Sequence, residues 1–214
     1  MSPTILIVDD HELTARALRL RICAAIPHCD VVIAPTLVSA MQQAIRLRRL
    51  SLVLLDLMLP DARGYSGLLL MRQLTRGAPI ALISARQDQA TIAKARSLGA
   101  AGFLSKSLSP LAMTDAVCAM LRGDTAFPEQ VDEDDQTTIL REQLDRLSAA
   151  ELRVLISSMD GRLHKQVAAD MGLSEATVKG HMSAVIRKLG VPSRLDALML
   201  ARPILAGTGE LLAA

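Results

Sequence analysis

Five short aliphatic runs recur along residues 4–104: Thr4–Val8, Val31–Ala34, Leu52–Leu55, Ile80–Ile83 and Ala101–Leu104. None alternates apolar with polar residues, so each reads as buried on both faces, the condition of a parallel strand covered by helices. Helical stretches follow each run, over Glu12–Ile26, Val38–Leu47, Gly67–Leu74 and Ala90–Leu98, with a fifth begun by Ser109 as N-cap and Pro110 in its first turn. Gly99 is placed to close the fourth in a left-handed cap. Five strand–helix units in succession predict an α/β domain, a (βα)5 doubly wound parallel sheet.

Charge divides the rest of the chain. Residues 1–121 carry thirteen Lys/Arg against eight Asp/Glu, residues 122–146 three against eight, and residues 147–214 eight against six. The acidic stretch 122–146, with Pro128 and the run Asp132–Asp135, reads as a solvated linker between a domain over 1–121 and a second over 147–214. The second domain reads as all-α with four helices. Ser148 and Glu151 form a capping box flanked by Leu147 and Leu152, Gly172 ends a helix over Leu163–Met171, and Ser174 caps Glu175–Leu189. Val178, Met182, Val185 and Leu189 give that helix one core face, and Ser193–Ala201 is the fourth.

Several function classes drop out. Half the residues are hydrophobic, which excludes a disordered chain. With no Trp, one Tyr and two Phe the core is aliphatic, and no aromatic platform exists for single-stranded nucleic acid. Cys23, Cys29 and Cys118 are too loosely spaced for a zinc site or a disulfide framework. No apolar run approaches a membrane span, and acids at positions 9 and 10 come too early for a signal peptide, so a cytoplasmic protein is expected.

Open parallel sheets place their sites at the carboxyl ends of strands. Asp9 and Asp10 end the first strand and Asp56 the third; Ser84 ends the fourth, and Lys106 follows the fifth. Three carboxylates together call for a hard divalent cation such as Mg²⁺, and the set suits a phosphoryl group placed on a carboxylate. Each residue alone has a plainer reading: a helix cap, a turn serine, a solvated lysine. Their convergence on one edge favours a site.

At this point residues 4–121 resemble a response-regulator receiver domain, through Asp9-Asp10-His11, the stretch Asp56 to Pro60 and Asp61 with Gly64, Ser84-Ala85, and Phe103 to Lys106. The resemblance implies that Asp56 accepts a phosphoryl group from a histidine kinase. It implies Mg²⁺ on Asp10, Asp56 and the Met58 carbonyl with Asp9 assisting, Ser84 and Lys106 on the phosphoryl oxygens, and Phe103 as a switch aromatic; plain core packing is the alternative for Phe103. Arg63, Met58 and Arg86 depart from common family residues, and the latter two stand where phosphoryl lifetime is tuned. A phosphotransferase of the haloacid dehalogenase type is the rival. It would set its two acids two residues apart after the first strand, which this chain does not do.

In the second domain, helix, Gly turn and helix match a helix-turn-helix or an ordinary packing module. Val167, Ala168, Met171 and Leu173 would join the two helices, and the second helix carries Lys179, His181, Arg187 and Lys188. Leu147–Leu200 resembles a LuxR-type (NarL/FixJ) DNA-binding domain, through Leu147-Ser148, Glu151, Lys165 to Ala168, Leu173-Ser174, Thr177 to Lys179, His181, Lys188 to Val191 and Ser193-Arg194. By that resemblance Lys179 contacts DNA, Thr177, His181 and Arg194 meet phosphates, Lys165 is a further contact, and Leu195, Leu198 and Met199 lie on the dimer surface, with core packing the alternative for all but the most exposed of the three. Ala176, Gly180, Ser183 and Ala184 face outward, with Arg187 further along, so base readout is thin or leans on DNA shape. The expected protein is a double-stranded-DNA-binding transcriptional regulator with no membrane partner, its receiver masking or misplacing the DNA-binding helices, with help from the acidic stretch, until phosphorylation releases them and favours a homodimer. Action through protein contacts, or DNA binding without phosphorylation, are the alternatives.

Overall fold

A computed structural model describes residues 2–47, 49–75, 77–128, 132–159 and 161–206. The chain divides into two compact units, 1–135 and 136–214.

The first unit holds β1 (Thr4–Val8), α1 (Glu12–Ala25), β2 (Asp30–Ala34), α2 (Leu37–Leu47), β3 (Leu52–Asp56), α3 (Ser66–Leu74), β4 (Ile80–Ser84), α4 (Gln89–Ser97), β5 (Gly102–Ser105) and α5 (Pro110–Leu121). The strands fall on the five aliphatic runs and form one all-parallel sheet in the order β2-β1-β3-β4-β5. Ile5, Ile7, Leu52, Leu54, Ala81, Ile83 and Leu104 pack on one face against Ala15, Leu18 and Ile22 of α1 and Met113, Val117 and Met120 of α5. β3 and β4 are buried along their whole length, as the lack of alternation predicts. Strand order reverses between β1 and β3, and the crevice at that point opens at the carboxyl ends. Gly99 (φ 80°) closes α4, with the Ala100 N–H donating to the Ala95 carbonyl at 3.1 Å.

The reading of 122–146 as a solvated linker is corrected in two places. Ala126 adds an isolated parallel bridge to β5: the Phe103 N–H donates to the Ala126 carbonyl at 2.8 Å, and the Ala126 N–H to the Ala101 carbonyl at 3.0 Å. β5 ends the sheet, and its outward backbone groups need partners. Asp135–Leu144 forms α6, which buries Thr137, Leu140 and Leu144. The acid run hid this helix, although Asp135 in the first turn and leucines four apart are helix signals.

The second unit continues with α7 (Ala149–Ser157), α8 (His164–Met171), α9 (Glu175–Leu189) and α10 (Arg194–Leu205). The capping box forms: the Ser148 Oγ accepts from the Glu151 N–H at 3.3 Å, and Glu151 Oε2 accepts from the Ser148 N–H at 2.7 Å. Gly172 caps α8 at φ 65°, Leu173 N–H returns to the Ala168 carbonyl at 2.9 Å, and Ser174 Oγ caps α9 by accepting from Thr177 N–H at 3.0 Å. Val178, Met182, Val185 and Leu189 are the buried face of α9. Val167 and Ala168 are buried beneath the turn, but Leu173, expected to pack there, is 37% exposed. The helix expected over Ser193–Ala201 runs to Leu205 and contains Pro203. Residues 207–214, the end of the second expected domain, lie outside the described residues. No described helix is long and apolar enough to cross a membrane.

Candidate functional site

The sheet brings the five polar residues read from strand ends to one edge. Asp9 follows β1, Asp56 and Ser84 end β3 and β4, and Lys106 follows β5; Asp9, Asp56 and Ser84 are buried. Lys106 Nζ donates to Asp56 Oδ2 at 2.7 Å and to Asp9 Oδ2 at 3.1 Å. Burial alone would lower the Lys106 ammonium, but the hydrogen bonds and charges of Asp56 and Asp9 outweigh it and hold its pKa above the ordinary lysine value. The other oxygen, Asp56 Oδ1, accepts from the Met58 N–H at 3.0 Å, and Ser84 Oγ accepts from the Arg86 N–H at 3.0 Å. The loop geometry thus fixes the carboxylate and aims the serine hydroxyl before any ligand arrives.

Asp10 is exposed at the mouth of the cluster. His11, quoted in the motif without a role, lies with Nδ1 2.9 Å from Asp10 Oδ1 and 3.2 Å from Asp9 Oδ1. Ligand atoms of Asp9, Asp10, His11 and Asp56 all lie within 4.8 Å of one another. An oxygen-rich set of this kind suits a hard divalent cation. Met58 is half exposed beside it, and Phe103 is buried in β5.

Two neighbours have structural roles that the sequence does not show: Asp61, quoted in the motif without a role, and Tyr65, which no motif includes. Asp61 caps α2 from across the sheet edge, its carboxylate accepting from the N–H groups of Leu37 at 2.9 Å and Val38 at 3.0 Å. The Tyr65 hydroxyl donates to the Thr91 carbonyl in the first turn of α4 at 3.0 Å. Burial pushes Tyr65 up to about 12, so it remains a donor. Neither long-range pair leaves a signal in local spacing.

The second unit displays a different surface. On α9, Thr177, Lys179, Gly180, Ser183 and Arg187 are exposed, as is Lys165 on α8, and His181 is partly exposed. Lys179 pairs with Glu175 one turn earlier at 3.0 Å, and Thr177 Oγ1 lies 2.7 Å from the capping Ser174 Oγ. A Cβ added at Gly180 would meet nothing within 4 Å, so no protein contact requires glycine there. Two basic residues are engaged inside the unit. Lys188 Nζ donates to Glu151 Oε2 at 2.7 Å, and Arg194 donates to the Arg162 carbonyl, tying the start of α10 to the loop before α8. Burial alone would raise the Glu151 carboxyl, but Lys188 and the Ser148 N–H bring it below its ordinary value. His164, at the start of α8, is held below its ordinary value by burial and by Arg194 and Lys179.

Residues 5–118 match the response regulator receiver domain, and residues 145–201 match the bacterial regulatory proteins of the luxR family. The chain is 34% identical over 210 residues to the glycerol metabolism activator of Pseudomonas putida, covering 94% of this chain and 95% of that one. It is 32% identical over 211 residues to the nitrate/nitrite response regulator protein NarP of Escherichia coli K12, covering 92% and 93%. Among solved structures, a LuxR family DNA-binding response regulator from Silicibacter pomeroyi is 28% identical with a TM-score of 0.53, over 60% of this chain and 98% of that chain. The two-component response regulator RcsB in its DNA complex shares the fold at 20% identity, with a TM-score of 0.54 over 95% and 100% of the two chains.

Proposed function

The chain belongs to the two-component response regulators that join a receiver domain to a LuxR-type DNA-binding domain, transcriptional regulators rather than classical enzymes, and from that premise we propose that it acts in the cytoplasm, where phosphorylation of Asp56 by a cognate histidine kinase governs its binding to double-stranded DNA as a homodimer. The observation that carries the reading is the cluster itself: buried Asp9 and Asp56 share the Lys106 ammonium, with the buried Ser84 beside them.

The chemistry follows from these groups. An Asp56 carboxylate oxygen attacks phosphorus, the O–P bond forms, the N–P bond of the phosphohistidine breaks, and the electron pair leaves with the imidazole nitrogen. Asp56 is held as an acceptor by the Met58 N–H on Oδ1 and by Lys106 on Oδ2. Lys106 then pairs with the added charge and the Ser84 hydroxyl donates to a phosphoryl oxygen. Asp9, Asp10 and Asp56, with the Met58 carbonyl, would hold Mg²⁺, which neutralises charge between the carboxylates and the incoming phosphoryl group when bound. Phe103, in the middle of β5, is the group through which a shift of that strand would be passed on.

On DNA, Lys179, Arg187 and Lys165 supply charge, and Thr177 and His181 hydroxyl and ring contacts to phosphates. Gly180 and Ser183 leave the middle of the α9 face low enough for close approach, with shape rather than base edges read there. Arg194 serves by its tie to Arg162 as well as by charge. Leu195 and Met199, 67% and 56% exposed on α10, are the surface on which two copies would pair. The test compares duplex binding, on fragments selected from a pool, with and without a small phosphodonor and Mg²⁺, in the wild type and in Asp56→Ala. Tightening that the substitution abolishes supports the switch; equal binding in all states refutes it.

A further inference from the structure

The hydroxyl of the chain's single tyrosine has no part in the chemistry proposed for Asp56. Gly64, left-handed at φ 47°, turns the chain at the end of the loop that follows β3. Tyr65 comes next, buried at the N-cap of α3, and its hydroxyl donates to the Thr91 carbonyl at 3.0 Å. Phenylalanine would fill the same space. What the hydroxyl adds is a tie between the far ends of two loops.

Those loops carry the acceptor and the serine. They leave neighbouring strands, with Asp56 of β3 opposite Ile83 of β4. One runs from Asp56, past the Met58 N–H on Asp56 Oδ1, to Tyr65. The other runs from Ser84, past the Arg86 N–H on Ser84 Oγ, to Asp88. The Asp88 carboxylate accepts from the Thr91 N–H and from the Thr91 hydroxyl, each at 2.8 Å. Asp88 thus binds Thr91 to the serine loop, and Tyr65 binds it to the acceptor loop. The Tyr65 bond closes a ring around Asp56 and Ser84. Without it the loops stay paired at their strand ends, but the far end of the serine loop loses this hold on the acceptor loop.

The serine has most to lose from such freedom. Its oxygen accepts from the Arg86 N–H, which leaves the hydroxyl hydrogen to be aimed at a phosphoryl oxygen. A donor aimed at developing charge loses much of its effect when misplaced by about 1 Å. Asp9 and Asp56 are held from the opposite side by Lys106, so the carboxylates do not depend on the tie. Resting on the phosphoacceptor role of Asp56, we propose that Tyr65 is a positioning residue for phosphoryl transfer: through Thr91 and Asp88 it holds the loop between β4 and α4 so that the Ser84 hydroxyl stands over Asp56.

The experiment times phosphoryl uptake by the full chain from acetyl phosphate, read as intact mass, over a range of Mg²⁺ concentrations. Wild type, Tyr65→Phe, Ser84→Ala and the double variant are compared, with Asp56→Ala as the control for the acceptor. Tyr65→Phe removes one oxygen and is expected to slow uptake about tenfold, with the half-saturating Mg²⁺ concentration unchanged. Ser84→Ala is expected to slow it about a hundredfold, and adding Tyr65→Phe to it should cost nothing more. Asp88→Ala, an exposed change that frees Thr91 from the serine loop, acts in the same sense and carries the expectation should Tyr65→Phe fail to fold. Undiminished uptake by Tyr65→Phe overturns the proposal while leaving Asp56 as acceptor. So does a tenfold loss that persists beside Ser84→Ala, because the tyrosine would then act on the fold and not through the serine. Where Ser84→Ala takes up too little to time, Mg²⁺ decides: a raised half-saturating concentration in Tyr65→Phe overturns the proposal, and an unchanged one beside slower uptake upholds it. No uptake by the wild type, or full uptake by Asp56→Ala, removes the acceptor role of Asp56 and the proposal with it.

Discussion

At the carboxyl edge of the sheet, Lys106 is held between Asp56 and Asp9, and both acids are about 3% exposed. On α9, Lys179 is 59% exposed and its partner Glu175, one turn away, 47%. The same ion-pair chemistry thus serves two opposite ends. In the first unit it is buried, and the groups are fixed by strands far apart in sequence; any added charge must rearrange them. On the helix it is solvated and screened, and a DNA phosphate can replace the carboxylate at small cost. A buried site is built to respond, and an exposed one to be available.

The sharpest way to break this contrast is at Asp56. Asp56→Asn keeps the shape but removes the nucleophile, and phosphoryl uptake by intact mass should vanish entirely; residual uptake at the same stoichiometry would move the acceptor elsewhere. The next effect tests whether burial matters as much in the second unit. Glu151 is held below its unfolded pKa, so its stabilisation is complete above the ordinary carboxylate range and is lost progressively as pH falls from there through its lowered folded value. Glu151→Gln should lower the unfolding free energy by about 1.5–3 kcal/mol at neutral pH and by less at pH 4, as read from urea midpoints. An equal loss at both pH values would mean that the Lys188 pair contributes nothing.

On the exposed side the effects shrink. Lys179→Ala should weaken duplex binding about tenfold and reduce the salt slope by about 1, with stability nearly unchanged; an unaltered slope would remove Lys179 from the phosphate contacts. Smallest is Gly180→Ala. In open helix surface glycine costs roughly 0.5–1 kcal/mol relative to alanine, so the substitution should raise the melting temperature of the second unit. A simultaneous drop in DNA affinity would show that the bare backbone is what the duplex meets, whereas unchanged affinity would leave Gly180 without a role on the DNA.

The two sites were legible to different depths for the same reason. Parallel strands must be continuous aliphatic runs, so their ends are visible in the sequence, and those ends alone put Asp9, Asp56, Ser84 and Lys106 on one edge. The α9 face was legible through its 4-3-4 spacing. The ties of Lys188 to Glu151 and Arg194 to Arg162 were not, because they join residues 37 and 32 positions apart. Nor was α6: four successive acids read as solvent-facing, and a helix needs only one buried stripe, here Thr137, Leu140 and Leu144. His11 stood in plain view beside Asp10, yet nothing local says that its ring turns back onto both carboxylates.

The hydroxyl of Tyr65 on the Thr91 carbonyl has an optical consequence. The chain has no tryptophan and no other tyrosine, so its phenolic absorption and emission arise from one ring whose hydroxyl is bonded to the first turn of α4. Any displacement of that turn alters the polarity around a single chromophore against a dark background. The molecule therefore carries its own unlabelled light signal at the seam between α3 and α4, readable in stopped flow as phosphodonor is added.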